Sequence, residues 1–305
     1  MSKSLPFGLR IAVLLTFDTQ MLDMVGIDLF GMLSKEYMEN LPGPLSALGL
    51  DLQIYYIGKD GSEALSDASK EKADVKVDPR NSATTPTEVT ESTTASRPGP
   101  QQAQAEQTNH NLRALTAQAY IKAEYSVTSP SVQPGQLDIV MIPGPEPGQQ
   151  QSKQTLDFVR QHAKYGTTIL VVCTGCYVAA QAGILDGRKA SAPRALVPQL
   201  RKEFSLVKWD DQRRFVKDSS TVSGQSEGEL WTSGGICNGL EMIAAFINEK
   251  IPGPMSEAVC AMADVGDKGE YYNSSVGVDN AWWLGQILRA LFLGKRSPQL
   301  KRRED

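Results

Sequence analysis

An α/β fold built on a mainly parallel sheet is the fold class that the sequence predicts, and three observations predict it. Apolar runs of strand length alternate along the chain with segments of helical spacing. Residues 9–16, LRIAVLLT, are continuously apolar, which is typical of a parallel strand covered on both faces. Residues 167–187, TTILVVCTGCYVAAQAGILDG, read as a strand, a tight turn and a helix.

The remaining elements follow the same alternation from one end of the chain to the other. Strands are predicted at 9–16, 50–58, 119–127, 137–142 and 168–172, with a strand pair at 213–218 and 229–233. Helices are predicted at 21–38, 150–165, 176–182, 195–204, 236–248 and 280–293. A loop rich in proline and glycine, Pro143 to Gly148, separates the strand at 137–142 from the helix that follows.

Residues 59–114 break this pattern. They are rich in Ser, Thr, Pro, Gln, Glu and Lys and almost free of large apolar side chains. Such a segment cannot bury enough surface to offset the entropy lost on ordering. We therefore predict one domain over 1–305, with a disordered or loosely ordered insertion at 59–114 and an extra C-terminal helix at 280–293.

Composition excludes several classes of function. The 305 residues carry a formal net charge of −4, so no basic face for nucleic acid is expected. No apolar run reaches the length of a membrane span, the N-terminus lacks the core of a signal peptide, and four cysteines are no disulfide framework. Two histidines and no Cys/His cluster of zinc spacing predict no metal and no cofactor. We expect a cytoplasmic protein that binds a small molecule.

Cys173 stands at the apex of the strand–turn–helix segment and is the candidate nucleophile. An apolar strand ends at this thiol, and a helix starts directly after the small Thr174-Gly175 turn. A cysteine beside the positive end of a helix is expected to have a lowered pKa and to react as the thiolate. A structural cysteine that ends a core strand is the alternative, since cysteine is often buried.

Two other loops are expected at the same edge of the sheet, because ligands bind at the carboxyl ends of parallel strands. One loop carries Asp23, and the other is Pro143-Gly144-Pro145-Glu146. Asp23 is a candidate for holding a proton near Cys173. Its position before an apolar helix also fits a helix N-cap.

Four motifs in order resemble the ThiJ/PfpI family of the class I glutamine amidotransferase-like superfamily. VCTGCYVAAQAGILDGRKAS resembles the family's cysteine elbow, MLDMVGIDLF its LDxxGPxxVF loop, and IVMIPGPEPG its PGG loop. RRFVKD followed by LWTSGGICNGLEMIAAFI resembles its closing segment. The resemblance covers most of 9–250 outside the insertion and implies a flavodoxin-like fold, with helices on both faces of the sheet. It also implies a homodimer.

Within the family, the pattern is most similar to the isonitrile hydratase branch. That resemblance implies a catalytic set of Cys173, Asp23 and Thr174. It implies thiolate attack on an electrophilic carbon, addition of water and release of an N-substituted formamide, with Asp23 holding or shuttling a proton. Thr174 has a simpler alternative role as a residue that fits a tight turn.

Two departures from the family pattern bear on the chemistry. Pro193 stands where the family often has a histidine, so a mechanism that needs a Cys–His pair loses its base. Pro145 replaces the second glycine of PGG and has no N–H to donate to an oxyanion. The amides of Gly144 or the Thr174-Gly175 turn are then the expected oxyanion or substrate-binding groups. Glu146 either adds a carboxyl there or is a solvated loop charge.

Three alternatives to a hydratase or hydrolase stay open. The first is a non-catalytic ligand-sensing or redox-sensing domain, in which Cys173 is oxidised reversibly. The second is a glyoxalase or deglycase. The third treats Cys173 and Cys176 as a C-x-x-C dithiol. The other cysteines, Cys237 and Cys260, are expected to be small core residues, and His110 and His162 to be exposed to solvent.

Overall fold

A seven-stranded sheet forms the centre of the fold. The computed structural model describes residues 8–16, 19–41, 43–58, 112–219, 228–266 and 268–293. Its strands are β1 (Gly8–Leu15), β2 (Asp51–Gly58), β3 (Leu112–Ala114), β4 (Tyr120–Lys122), β5 (Tyr125–Ser126), β6 (Ile139–Ile142), β7 (Thr168–Val171), β8 (Lys189–Ala190), β9 (Lys208–Trp209), β10 (Phe215–Asp218) and β11 (Leu230–Ser233). The large sheet has the order β10-β11-β7-β6-β1-β2-β5, and β3-β4 and β8-β9 form two small sheets.

The strands of the large sheet are parallel except for β10, which pairs antiparallel with β11 at one edge. Ile142 of β6 and Thr232 of β11 both pair with Val171 of β7. This register brings the carboxyl ends of the three strands to one edge of the sheet. The predicted mainly parallel sheet is confirmed.

Helices cover both faces of the sheet. They are α1 (Gly26–Gly31), α2 (Lys35–Met38), α3 (Lys153–Tyr165), α4 (Gly175–Gln181), α5 (Val197–Glu203), α6 (Ile236–Lys250), α7 (Pro254–Met262) and α8 (Val276–Leu293). Because successive side chains of a strand point to opposite faces, Ala12 and Leu14 of β1 join the core beneath α3, α4 and α5. Ile11 and Val13 join the core beneath α1, α6 and α7. The predicted flavodoxin-like arrangement is confirmed.

The helix predicted at 21–38 is divided into three pieces. A 3-10 helix spans Met21–Met24, and α1 and α2 follow it. The division has a physical reason, because the backbone between α1 and α2 hydrogen-bonds to the start of β2. The Leu50 amide donates to the Leu33 carbonyl at 2.9 Å, and the Lys35 amide donates to the Leu50 carbonyl at 3.0 Å. Ser34 then caps α2 by accepting from the Tyr37 amide.

The predicted insertion ends earlier than expected. Residues 112–114, its last three, form β3 and pair with β4, while residues 59–111 lie outside the described residues. A side chain on Gly58 would lie 2.5 Å from the Arg113 guanidinium, so β3 packs directly against the end of β2. The single strand predicted at 119–127 is instead two short strands, β4 and β5.

Besides β3, the sequence did not predict the strands β8 and β9 or the helix α7. Helix α7 begins with Pro254 directly after Gly253, a start signal that the sequence did contain. The extra C-terminal helix begins at Val276, four residues before the predicted 280. Across the ranges that the structure describes, none of the helices combines the length and the apolar character needed to cross a bilayer.

Candidate active site

Cys173 lies immediately after β7 in a strained backbone conformation. Its φ is +55°, in the left-handed region that residues with a Cβ rarely adopt. The turn requires glycine at position 175, because a side chain there would collide with the carbonyl oxygen of Ile142. The predicted strand, sharp turn and helix around the thiol are therefore present. Cys173 as a whole residue is 8% exposed.

Asp23 lies within the 3-10 helix before α1, and its side chain is 1% exposed. Its Oδ2 accepts a hydrogen bond from the Gly144 amide at 3.2 Å, and its Oδ1 has no hydrogen-bond partner of ordinary geometry. The caps of the 3-10 helix and of α1 are Gln20 and Val25. The alternative interpretation of Asp23 as a helix N-cap is therefore wrong.

Gly144 lies between Asp23 and Thr174 and leaves no space for a side chain. A β-carbon at this position would collide with the Asp23 carboxylate and lie 2.5 Å from the Thr174 hydroxyl oxygen. The Thr174 hydroxyl donates to the Pro145 carbonyl at 2.6 Å, which ties the elbow to this loop. The three predicted loops thus meet around Cys173.

Burial raises the pKa of Asp23 from 3.8 to about 7. Hydrogen bonds from the Cys173 thiol and the Gly144 amide favour the carboxylate, but they offset only part of the cost of burying the charge. The shift from the ordinary pKa corresponds to about 4 kcal/mol in favour of the protonated carboxyl. Asp23 therefore exchanges a proton near neutral pH, as a general acid or base must.

The pKa of Cys173 is raised to about 12, so the expected lowering is wrong. Burial is the main cause, and the nearby Asp23 carboxylate adds to it. The Thr174 amide and hydroxyl favour the thiolate, but they do not outweigh burial and the neighbouring negative charge. The resting pair is a thiol beside a carboxyl that titrates near neutral pH, so Asp23 is the candidate proton acceptor for the thiol.

The candidate oxyanion groups have unequal surroundings. The Gly144 amide already donates to Asp23, and the Gly175 amide donates to the Val172 carbonyl at 2.9 Å. The Thr174 amide faces the sulfur of Cys173. Glu146 is exposed and accepts from the Gln149 side chain at 2.7 Å, which fits a solvated loop charge.

Several other sequence expectations need correction. His162 is fully buried rather than exposed; its ring nitrogens contact the Val132 carbonyl and the Thr167 hydroxyl. Burial lowers its pKa to about 4, so it is a neutral core residue. Cys237 is exposed rather than buried, whereas Cys260 is buried as expected. His110 lies outside the described residues.

Cys176 is completely buried, and burial raises its pKa. All four cysteines are free thiols. Within the described ranges, no group of three or more His, Cys, Asp or Glu side chains has the arrangement of a metal site.

A polar chain near the elbow was missed by the sequence analysis. The Arg214 guanidinium donates to Asn238 Oδ1 at 2.9 Å, and Asn238 Nδ2 donates to the Tyr272 hydroxyl oxygen at 2.8 Å. A side chain on Gly234 would collide with this hydroxyl. These residues come from three separated segments of the sequence, so no local motif predicts that they lie together. The Gly234-Gly235 pair after β11 was the one sequence feature that indicated a close approach there.

The chain has the features of an α/β protein with a candidate nucleophile. Helices cover both faces of its parallel sheet, a cysteine elbow lies at the carboxyl edge, and a buried aspartate lies beside the cysteine. Residues 100–233 match the DJ-1/PfpI family. The matched residues are less than half of the chain, and they include the cysteine elbow at Cys173.

One curated relative is an isonitrile hydratase from Pseudomonas putida. It is 31% identical over 117 residues, which cover 38% of this chain. The matched part spans 46% of that enzyme's length.

Solved structures share the fold at low sequence identity. Drosophila melanogaster DJ-1beta has a TM-score of 0.52 at 14% identity, covering 85% of this chain and 98% of its own. An AraC family transcriptional regulator from Pseudomonas putida has a TM-score of 0.53 at 11% identity, covering 84% of this chain and 99% of its own. At these identities the likeness concerns the fold alone.

Proposed function

We propose that this protein is a cysteine-dependent hydratase of small electrophilic molecules, with isonitriles as the substrate class. One observation carries the proposal: Asp23 is buried against Cys173 and Gly144, with a pKa near 7. Such a carboxyl can accept a proton from a thiol and return it to a reacting carbon at neutral pH. The partial likeness to an isonitrile hydratase supports the choice of substrate class.

The proposed reaction begins with the Cys173 thiol and the Asp23 carboxylate. Asp23 takes the thiol proton and delivers it to the terminal carbon of the isonitrile, while the sulfur bonds to that carbon. The product is a thioimidate, Cys–S–CH=N–R. No redox change occurs, because the thiol has added across the carbon.

Hydrolysis of the thioimidate completes the cycle. Asp23, again a carboxylate, takes a proton from water as the hydroxide bonds to the carbon, and it passes that proton to the nitrogen. The C–S bond then breaks as the hydroxyl oxygen becomes the carbonyl, the hydroxyl proton passes to the sulfur, and R–NH–CHO is released. The overall reaction adds one water to one isonitrile. The Thr174 amide, which faces the sulfur, helps to hold the anionic sulfur in both halves.

A ligand-sensing or redox-sensing domain is the second candidate, and a specific observation favours it. Pro193 leaves the neighbouring loop without the histidine base that a Cys–His mechanism needs. In this role, peroxide oxidises Cys173 to a sulfenic acid, with peroxide reduced to water. A glyoxalase or deglycase is less well supported, because Pro193 occupies the position of the histidine that would act as the base.

The proposal includes a homodimer in the cytoplasm. Met21, Leu22 and Val25 flank Asp23 and are 51%, 59% and 40% exposed, an apolar surface suited to a second copy of the chain. A reducing compartment keeps the Cys173 thiol available. Light scattering should give twice the chain mass for the wild type and the monomer mass for Leu22→Glu; a wild-type monomer would contradict the dimer.

The direct test is conversion of a panel of alkyl and aryl isonitriles to formamides, followed by NMR. Wild type and Cys237→Ser, the matched control at an exposed thiol, are expected to turn over at equal rates. Cys173→Ser should lose turnover, and mass spectrometry should find a thioimidate adduct on Cys173 alone. Absence of both turnover and adduct, together with sulfenic acid formation at Cys173 under micromolar peroxide, would favour the sensing domain instead.

A further inference from the structure

Tyr272 lies at the carboxyl edge of the sheet although it is distant in sequence from the other site residues. Its amide donates to the Gln212 carbonyl at 3.1 Å, and Tyr271 forms a bridge with Arg213 at the start of β10. The segment that leads into α8 therefore runs along the edge of the sheet. Tyr272 is outside residues 100–233, where the chain matches the DJ-1/PfpI family.

The sheet topology places Tyr272 at the same edge as the elbow. Strand β11 is the neighbour of β7, and Thr232 pairs with Val171 near the carboxyl end of each strand. Gly234 follows β11 and Cys173 follows β7, so both lie just beyond the carboxyl ends of adjacent strands. The Tyr272 hydroxyl lies against Gly234 so closely that a side chain there would collide with it. The same position is 3.4 Å from the Ala192 carbonyl, which directly precedes Pro193.

The hydrogen bonds around Tyr272 run in one direction. Arg214 donates to Asn238, and Asn238 donates to the Tyr272 hydroxyl oxygen. The Arg214 contact fixes the orientation of the Asn238 amide, because a guanidinium can only donate. The Tyr272 oxygen thus receives a hydrogen bond, and no acceptor for its own proton is recorded among the described residues. Hydrogen bonds in a chain polarise one another, so the chain that starts at the Arg214 cation makes the Tyr272 hydroxyl a stronger donor.

The extra C-terminal helix holds Tyr272 in this position. The Arg194 guanidinium lies 4.2 Å from the centre of the Tyr272 ring. The same guanidinium pairs with Asp279 of α8 and donates to the Ser274 carbonyl at 3.2 Å. Arg194 directly follows Pro193. The loop that lacks the family histidine therefore also holds the segment that carries Tyr272.

We propose that the Tyr272 hydroxyl is the hydrogen-bond donor that contacts the polar atom of the substrate opposite Cys173. This inference rests on the proposed function for its substrate: the acceptor is the nitrogen of the thioimidate and then the carbonyl oxygen of the formamide. Tyr272 is thus a substrate-contacting residue that supplies a donor on the β11 side of the elbow, where Pro193 supplies none. It favours electrophiles whose hydrogen-bond acceptor is bonded to the reacting carbon or conjugated with it.

The test uses alkylation of Cys173 in the full chain, so it does not depend on isonitrile turnover. Acrylamide carries a carbonyl acceptor, whereas iodomethane carries none. Tyr272→Phe should slow acrylamide addition to Cys173 about tenfold and leave the iodomethane rate within twofold of wild type. Tyr271→Phe, at an exposed neighbour, should change neither rate. Site-resolved mass spectrometry separates Cys173 from the exposed Cys237.

Two results would overturn the proposal. Equal acrylamide rates in wild type and Tyr272→Phe would show that the hydroxyl contacts no acceptor at the site. A parallel loss of the acrylamide and iodomethane rates would show that Tyr272 only supports the fold. If isonitriles are turned over, Tyr272→Phe should also lower kcat/KM about tenfold. If isonitriles are not turned over, the proposed substrate class is wrong, and the acrylamide result still decides the role of Tyr272.

Discussion

Two aspartates with little exposure to solvent have opposite surroundings. Asp218 at the end of β10 faces Arg188, and their side chains are 10% and 2% exposed. Its second carboxylate oxygen accepts from the Lys189 amide at 2.8 Å. Asp23 is more deeply buried, yet it has one backbone amide and a thiol as neighbours instead of a cation.

The difference separates a structural carboxylate from a reactive one. A buried charge that is paired and hydrogen-bonded is held in place, and removing its partner costs several kcal/mol. A buried carboxyl without a cation instead shifts its pKa toward neutrality, which is costly for stability and useful for proton transfer. Asp218 therefore supports the fold, whereas Asp23 is the candidate for proton transfer.

Removing the cation beside Asp218 has the largest expected effect. Arg188→Met keeps most of the buried volume but takes the guanidinium away from the Asp218 carboxylate, so it should lower the free energy of unfolding by about 3–5 kcal/mol in urea titrations. Lys35→Met is the control, because its pair with Asp51 is more than half exposed and contributes at most about 1 kcal/mol. A small Arg188→Met effect would mean that Asp218 does not depend on its partner.

Neutralising Asp23 should act in the opposite direction on stability. The folded-state pKa is about 7 and the ordinary value 3.8, so the folded protein binds more protons between these values and wild-type stability falls as pH rises through that window. Asp23→Asn resembles the protonated carboxyl and lacks this loss. It should match wild type near pH 4 and exceed it by up to about 4 kcal/mol at pH 8.

The same variant should lose function. Without a titrating group beside Cys173, isonitrile turnover by Asp23→Asn should fall about a hundredfold or more. Asp28→Asn, an exposed aspartate five residues away in α1, should retain both wild-type turnover and wild-type stability. Undiminished turnover in Asp23→Asn would remove the proton-transfer role.

Filling the space at Gly144 should have a moderate effect. In Gly144→Ala the new methyl group meets the Asp23 carboxylate and the Thr174 hydroxyl, so unfolding should become easier by about 1–3 kcal/mol and turnover should fall with it. Gly235→Ala is the control, since no atom lies within 4 Å of the position of its β-carbon. Equal thermal unfolding of both variants would show that the three loops are not tightly joined.

Removing the Thr174 hydroxyl should have the smallest effect. Thr174→Val loses the hydrogen bond to the Pro145 carbonyl, at a cost of about 1 kcal/mol and less than a tenfold change in turnover. Thr116→Val, at an exposed position, is the matched control for thermal unfolding. A hundredfold loss of turnover in Thr174→Val would give the hydroxyl a direct role in the reaction.

The sequence predicted the parts of the site that are encoded locally. The elbow at Cys173 was visible because an apolar strand, a small-residue turn and a helix follow each other directly. The sheet was predicted for the same reason. The split of the helix at 21–38 was not, because it depends on backbone hydrogen bonds to Leu50, which lies beyond the end of the helix.

The electrostatics of the site could not be predicted locally. Proximity to a helix start suggested a lowered pKa for Cys173, but burial and the Asp23 carboxylate act more strongly in the opposite direction. Whether a residue is buried depends on contacts across the whole fold. Tyr272 was missed for a related reason, since its partners Asn238 and Arg214 are 34 and 58 positions away in the sequence.

The central claim is that Asp23 titrates near neutral pH and accepts the proton of Cys173. The most direct measurement is the pH dependence of Cys173 alkylation by iodoacetamide, resolved by mass spectrometry, in wild type and Asp23→Asn. Wild type should show an inflection near pH 7, with the rate rising as the carboxyl becomes a base. The variant should lack that inflection and react only toward high pH. Superimposable profiles for the two proteins would contradict the claim.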